Sequence, residues 1–297
     1  MTNMLTIVTP SLNQARYLGR AVDSILEQGL SDLDYLVIDG ASNDATLSLL
    51  QQYQGRVSWI SEPDSGPAEA INKGFMRTSG QILAWLNSDD IYYPGAFEKV
   101  LSVFAANRDI DVVYGDAAYI DENDKPLAMY HTEPWNWARM RQTCIISQPA
   151  AFFRREVFEK YGPLNTNVRV LDYDFWLRLG LHGASFHYLP GVLAGMRRHP
   201  QAFSVAQRLE LHRQTNDVTR ALLGRTPDTW LTGWACAFIE NKGFIPGTLS
   251  HALLGKVLLP LYAAVRWNGT ISKSLVCSIL RNVFLAFRMK SMTPNIR

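Results

Sequence analysis

The sequence predicts an α/β fold: a Rossmann-like, mostly parallel sheet flanked by helices, followed by a helical C-terminal extension. Three observations carry that expectation. Short apolar runs of strand length recur between residues 5 and 86, and each is followed by a stretch with helical periodicity. Each run hands over to a polar turn at its carboxyl end. The composition, 47% hydrophobic and 19% charged, is that of a folded globular chain with no low-complexity tract.

The first unit is a strand, Leu5-Thr6-Ile7-Val8, a turn over Thr9-Pro10-Ser11-Leu12-Asn13-Gln14, and a helix to about Gln28. That helix carries Leu18, Val22, Ile25 and Leu26 on one face, and Gly29 stops it. A second strand, Tyr35–Ile38, ends at Asp39-Gly40-Ala41-Ser42, after which Asn43-Asp44 are placed to cap a helix through Leu47 and Leu50. A third, Val57–Ile60, ends at Glu62-Pro63-Asp64-Ser65-Gly66 and precedes a helix over about 68–77. The fourth, Ile82-Leu83-Ala84-Trp85-Leu86, turns into Asn87-Ser88-Asp89-Asp90. Strands alternating with helices of this length form a parallel sheet with right-handed crossovers. Ligands of such sheets sit at the carboxyl ends of the strands, which brings Asp39, Asp64 and Asp89 to one crevice.

Two adjacent carboxylates at the end of a buried strand are costly unless a cation meets them. A divalent metal holding a phosphate ester answers that need, since hard oxygen ligands suit Mg2+ or Mn2+. A plain turn with side chains capping the backbone is the alternative. A dinucleotide site and a P-loop are both excluded, because Thr9–Gln14 contains no glycine to let phosphates approach the backbone.

Beyond Asp90 the pattern changes. A helix is expected over 94–107, strands over 112–116 and 117–120, and a turn over 121–126; 135–141 and 148–153 fit no simple pattern. A helix over 155–161 stops at Gly162-Pro163. In Leu171-Asp172-Tyr173-Asp174-Phe175-Trp176-Leu177-Arg178 an apolar stripe puts Asp172 at a helix N-terminus, where a cap and a catalytic base are both open readings.

The start of the chain lacks the basic region and long apolar core of a secretory signal. Cys144, Cys236 and Cys277 have no metal-type spacing, so reduced thiols in the cytoplasm are expected. Charge is split: residues 205–297 carry twelve Lys/Arg against four Asp/Glu, and no acidic residue follows Glu240. Leu254, Leu258, Leu261 and Val265 share a helical face, as do Leu275, Ile279, Val283 and Phe287, with Arg281 and Arg288 on another. An in-plane anchor on an anionic membrane surface and helices packing on protein both fit this segment. A bilayer span does not, because Gly255, Lys256 and Pro260 interrupt the best candidate.

Ile7-Val8-Thr9-Pro10-Ser11-Leu12-Asn13, Val37-Ile38-Asp39-Gly40-Ala41-Ser42-Asn43-Asp44, Leu86-Asn87-Ser88-Asp89-Asp90 and Asp172-Tyr173-Asp174-Phe175-Trp176 follow one another in the order and spacing of a known family. On these motifs residues 5–204 resemble a family-2 glycosyltransferase of the GT-A fold. The resemblance implies domains of 1–204 (sugar transfer) and 205–297 (basic, helical extension). It implies inverting, metal-dependent, hexosyltransferase-type transfer from a nucleoside-diphosphate sugar, UDP-linked, to a hydroxyl of a glycan or lipid-linked acceptor in cell-surface polysaccharide synthesis. Pro10 and Ser11 would flank the nucleoside, Asp39 would accept a hydrogen bond from the base, and Asp64 would add a nucleotide contact. Asn87 and Ser88 fall in the nucleotide-sugar motif, Asp89 matches its Mn2+- or Mg2+-binding carboxylate, and Asp172 matches the general base. His199, in Arg197-Arg198-His199-Pro200, matches a histidine that reaches the metal or diphosphate. Arg197 and Arg198 would either repel a cation or grip the diphosphate. Two departures stand out: Asn87 replaces the motif's first aspartate, and Ile71 stands where many members carry arginine. Lys73 and Arg77, one turn apart, read as a solvated helix face before a phosphate grip. The expected location is the cytoplasm, with a peripheral position on the inner membrane face and no nucleic-acid partner. A non-catalytic nucleotide-sugar-binding homologue competes through Asn87. A nucleotidyltransferase competes less well, for want of a triphosphate site.

Overall fold

The computed structural model describes residues 4–243 and 254–281. Contacts divide the chain into two compact units, Met1–Met140 with Cys144–Val205 and Arg141–Thr143 with Ala206–Arg297.

The first unit runs β1 (Leu5–Ser11), α1 (Ala15–Leu26), β2 (Leu33–Asp39), α2 (Thr46–Gln52), β3 (Ser58–Ser61), α3 (Pro67–Arg77), β4 (Ile82–Trp85), β5 (Ile91–Tyr92) and α4 (Ala96–Ala106). It continues with β6 (Val112–Ile120), β7 (Pro126–Met129), α5 (Trp137–Met140), β8 (Ala151–Arg154), α6 (Arg155–Tyr161), α7 (Leu171–Leu181) and β9 (Phe186–Arg197). The strands form one sheet in the order β3-β2-β1-β4-β8-β6-β9-β5, with β7 on β6. The long ladders are parallel: β1 with β2 over seven residues and β6 with β9 over nine. β8 is short and antiparallel to both neighbours, β4 and β6. Two reversals cancel, so β1, β2, β3, β4, β6 and β9 all end at the same edge of the sheet. That edge carries Ser11, Asp39, Ser61, the turn after Trp85, and the segment after Arg197.

Local chemistry explains the register there. β1 runs on through Pro10 and Ser11 rather than turning at Thr9. Pro10 is tolerated because pairing with β4 ends near Leu86, whose N–H donates to Val8 O, so the missing Pro10 N–H falls past the end of β4. Gly74 lets α3 press onto β1, since a Cβ there would meet Val8 Cγ1 at 2.5 Å. The Asp44 carboxylate accepts from Ala15 N at 3.1 Å and Thr46 N at 2.9 Å, serving the N-termini of α1 and α2 together. Residues 112–120 form a single strand rather than two, with its register shifting against β9 beside Gly115. The main core gathers Ile7, Val37, Ala84, Val113 and Phe152.

A short α8 (Phe203–Ala206) precedes the second unit, whose helices are α9 (Arg208–Leu223), α10 (Asp228–Asn241) and, after a π-type turn, α11 (Leu259–Asn268); residues 273–281 are helical too. Its core is Leu231, Trp234, Ala235, Ala263, Ala264, Trp267, Leu275 and Ile279. Leu275 and Ile279 are thus buried together as their spacing predicts, while Val283, Phe287 and Arg288 lie outside the described residues. The Leu254–Val265 face behaves otherwise: Leu258 and Val265 are exposed, and the face turned inward is Pro260, Ala263, Ala264 and Trp267. Alanines at 263 and 264 let α11 approach α10 closely enough for Trp267 to meet Trp234 edge-on at 5.2 Å.

Candidate functional site

Asp39 closes β2 with no exposed surface. Its carboxylate accepts from Ser42 N at 2.9 Å, Ser42 Oγ at 2.5 Å and Ser61 Oγ at 2.6 Å. Three donors from the chain account for most of the acceptor capacity of a carboxylate. Asp64 lies across Gly40, where a Cβ would stand 2.9 Å from Asp64 Oδ2. Burial first, and then the Glu69 and Asp39 charges, push the Asp64 carboxyl up, against a 2.8 Å hydrogen bond from Gly66 N. Ser11 pairs with Asp39 in the β1–β2 register, and its buried Oγ has no hydrogen-bond partner among the described residues. Pro10, Ser11, Asp39 and Asp64 therefore share one corner.

The other corner follows β4, two strands from Asp39 and so roughly 10 Å away across the sheet. Asp89 Oδ2 lies 2.9 Å from His199 Nε2. The Asp89 side chain keeps 20% of its surface, whereas that of His199 keeps 2%. The hydrogen bond to Asp89 raises the His199 pKa above its ordinary value, burial opposing. Tyr17 lies against the imidazole at 4.8 Å between ring centroids, and Gln201 faces Nδ1 at 3.2 Å. The adjacent Asp90 is fully inside: burial, then the Asp89 charge, push its carboxyl well above the usual range. It accepts from Arg197 N at 2.9 Å and from Asn87 Nδ2 at 3.2 Å. Asn87 Nδ2 also donates to Gln148 Oε1 at 3.0 Å, and Gln148 Nε2 donates to Trp85 O at 2.8 Å. The Asn87 amide thus faces a carboxylate and a carbonyl oxygen, where an aspartate would meet only acceptors. Ser88 is buried in the same turn.

Arg197 ties this turn to the end of β9. Its side chain is fully buried, with Nε on Asp89 O at 2.7 Å, Nη1 on Asp121 O at 2.7 Å, Nη2 on Asp124, and the guanidinium 5.0 Å over Tyr17. These partners engage its guanidinium inside the protein; Arg198 is exposed, its guanidinium over Tyr119. Lys73 pairs with Glu62 and Glu69, and Arg77 with Glu62, as on a solvated helix face. Ile71 is fully buried in α3.

Asp172 is the second residue of α7; Val170 takes the cap position. Burial raises its carboxyl, against hydrogen bonds from the N–H groups of Tyr173 and Asp172 itself. α7 is fixed to the strand leading into Asn87, because Trp176 stacks on Trp85 at 6.0 Å and both are fully buried. Asp172 lies one helical turn before Trp176 on the same face. Cys144 is its neighbour: burial, then the Asp172 charge, push that thiol up to about 12.

As a metal site, Asp89 and His199 offer one carboxylate and one imidazole. Neighbouring ligands of an octahedral ion held at about 2.1 Å stand about 3 Å apart, which matches their separation. Among the described residues no group of three or more His, Cys, Asp or Glu could hold a metal. Such an ion would take its remaining ligands from phosphate oxygens and water, the usual arrangement for Mg2+.

The model of glycosyl transferase family 2 matches residues 6–162. The chain belongs to that family. A relative from Mycobacterium bovis, a PGL/p-HBAD biosynthesis glycosyltransferase, is 27% identical over 253 residues, which are 76% of this chain and 97% of the relative. The chain spans about half the length of several other curated relatives it matches. Among solved structures, Staphylococcus aureus TarS 1-349 with UDP-GlcNAc superimposes with a TM-score of 0.63 at 12% identity, covering 97% of this chain and 92% of that one. The Pyrobaculum calidifontis mannosyltransferase PcManGT with GDP-Man and Mn2+ gives 0.60 at 17%, covering 97% and 81%. The fold is the GT-A fold of these proteins.

Sequence reasoning missed Tyr17 and Gln148 and misjudged Arg197. Nothing in the spacing of Tyr17 or Gln148 marks them. Arg197, next to an apolar strand and followed by Arg-His, carried a weak signal that its charge was needed inside.

Proposed function

We propose that this chain is an inverting, hexosyltransferase-type enzyme. It moves a sugar from a UDP-linked donor to a hydroxyl of a glycan or lipid-linked acceptor in cell-surface polysaccharide synthesis. The observation that carries the reading is the pairing of Asp89 with His199 at the sheet edge where Asp39 also ends. In this reading residues 1–204 are the transferase domain, Pro10, Ser11, Asp39 and Asp64 border the nucleoside, and Asn87 and Ser88 shape the turn against the sugar phosphate. Asp89 and His199 would hold Mn2+ or Mg2+, and such an ion would supply positive charge against the departing diphosphate. Asp172 accepts the proton of the acceptor hydroxyl, whose oxygen attacks the anomeric carbon from the face opposite the diphosphate. A carboxyl raised by burial suits a base whose pKa must approach the working pH. The UDP-GlcNAc complex of TarS and the biosynthetic role in the mycobacterial relative's name support donor and pathway. The enzyme's place is the cytoplasm, at the inner face of the membrane, held there through residues 205–297.

The test is donor hydrolysis and transfer by the full chain over a panel of UDP- and GDP-sugars, with Mn2+ and with chelator. Metal-stimulated release of one nucleoside diphosphate with inverted product is expected. Donor binding without any release would leave a binding protein, and formation of a nucleoside triphosphate and a sugar 1-phosphate only when pyrophosphate is added would make it a nucleotidyltransferase.

A further inference from the structure

The outward face of α11 and of the π-type turn that leads into it is apolar. Leu258, Tyr262 and Val265 are 49%, 55% and 53% exposed, while Pro260, Ala263, Ala264 and Trp267 are buried. Spacings of four and three put the exposed three on one stripe, where a helix facing water carries charged residues. Helical residues 273–281 repeat the arrangement: Leu275 and Ile279 are buried, and Val276 and Leu280 are 41% and 63% exposed. Lys256, Arg266, Lys273 and Arg281 are exposed among them, with no acidic residue anywhere in 254–281. Beside Tyr262 a cavity of about 370 Å³ is walled by Trp234, Phe238 and Trp267. Of its two arginines, Arg213 is engaged by Glu210 and Asp217, whereas Arg266 lies over the Trp267 ring with no ion pair among the described residues.

We propose that this face lies on an anionic lipid bilayer. Leu258, Tyr262, Val265, Val276 and Leu280 enter the headgroup boundary, and Lys256, Arg266, Lys273 and Arg281 meet lipid phosphates. Charge decides the occupant: a second copy would set the same four cations against themselves, and a neutral surface would leave them unanswered. No helix among the described residues is long and apolar enough to cross a membrane, so the contact is in-plane. The proposal deepens the membrane-side placement above by naming the face and the lipid chemistry, and it does not depend on sugar transfer.

The experiment is co-sedimentation of the full chain with phosphatidylcholine vesicles, with and without phosphatidylglycerol. Binding only to the anionic vesicles, weakened by salt, is expected. Leu258→Asp with Val265→Asp lowers the affinity at least tenfold, and each of Lys256→Glu and Arg266→Glu lowers it by roughly fivefold or more. All four substitutions are at exposed positions, so thermal unfolding and lipid-free donor hydrolysis stay at wild-type values. Equal sedimentation with both vesicle types, none with either, or variants that bind like wild type would overturn the proposal. A dimer on size exclusion that Leu258→Asp with Val265→Asp disperses would give the face to a second copy instead. Vesicle binding without any donor hydrolysis would count against the transferase reading and leave this one standing.

Discussion

Asp39 and Asp89 end neighbouring regions of one sheet edge, yet the chain treats them in opposite ways. Asp39 has no exposed surface and takes three hydrogen bonds from its own turn and from Ser61. Asp89 keeps a fifth of its side-chain surface and, among the described residues, has one side-chain partner, a histidine. The first is a carboxylate whose charge the fold consumes, holding the ends of β2 and β3 together. The second is a carboxylate the fold leaves to be met from outside, while Asp90, Asn87, Gln148 and Arg197 hold its turn rigid. Position at the edge is therefore not enough to assign a role: one carboxylate is held by the chain's own donors, and the other keeps open surface.

The largest effect should fall on neither corner. Asp172→Asn is expected to keep donor binding while turnover drops by roughly two to four orders of magnitude, the span of general-base catalysis. Single-turnover kinetics beside a donor titration measures both, and near wild-type turnover would remove Asp172 from the chemistry. Next comes stability. Asp39→Ala strands a buried N–H and two hydroxyls, at about 1–3 kcal/mol for each group left unpaired. Denaturant unfolding should show a loss of several kcal/mol for Asp39→Ala and a smaller one, about 1–3 kcal/mol, for Asp89→Ala, which leaves only the buried His199 Nε2 without its partner. Equal losses would erase the distinction between the corners. Asn87→Asp should cost about 1–2 kcal/mol, since it replaces a donor to Asp90 and Gln148 with an acceptor; unchanged stability would mean that the amide does not hold the turn. The smallest effect is on pH. Burial raises the Asp172 carboxyl, so it keeps its proton to higher pH than an ordinary aspartate and loses base function as pH falls through that raised value. The acid limb of kcat/KM should lie above the ordinary aspartate range, and a limb at or below it would contradict the assignment.

Much of this edge was legible in the sequence because strand-length runs ending in Asp39, Asp64 and Asn87-Ser88-Asp89-Asp90 obey a rule that depends only on chain direction. The mixed part of the sheet was not. β8 has four residues and is antiparallel to both neighbours, and no period marks a strand that short. The two-residue β5 just after the Asp89 turn pairs antiparallel with β9, Ile91 with Gly195 and Tyr92 with Ala194, and so brings Asp89 to the end of β9. No period marks that pairing, so the meeting of His199 with Asp89 could be expected from the resemblance alone. Asp39 shows a different limit: its residue type and position were readable, but its satisfaction by Ser42 and Ser61 depends on a register between β2 and β3 that only the fold supplies. On α11 the apolar spacing was real but did not say which face turns inward; Pro260, Ala263, Ala264 and Trp267 do, while Leu258 and Val265 stay exposed.

The central claim is that the Asp89–His199 corner is where a cation and a nucleoside diphosphate meet the protein. Calorimetric titration of UDP and GDP into the full chain, with Mn2+ and with chelator, tests it on wild type and on Asp89→Ala. Binding should strengthen with Mn2+ in wild type, and the Mn2+ effect should vanish in Asp89→Ala. The same Mn2+ dependence in both proteins would place the cation elsewhere and contradict the account.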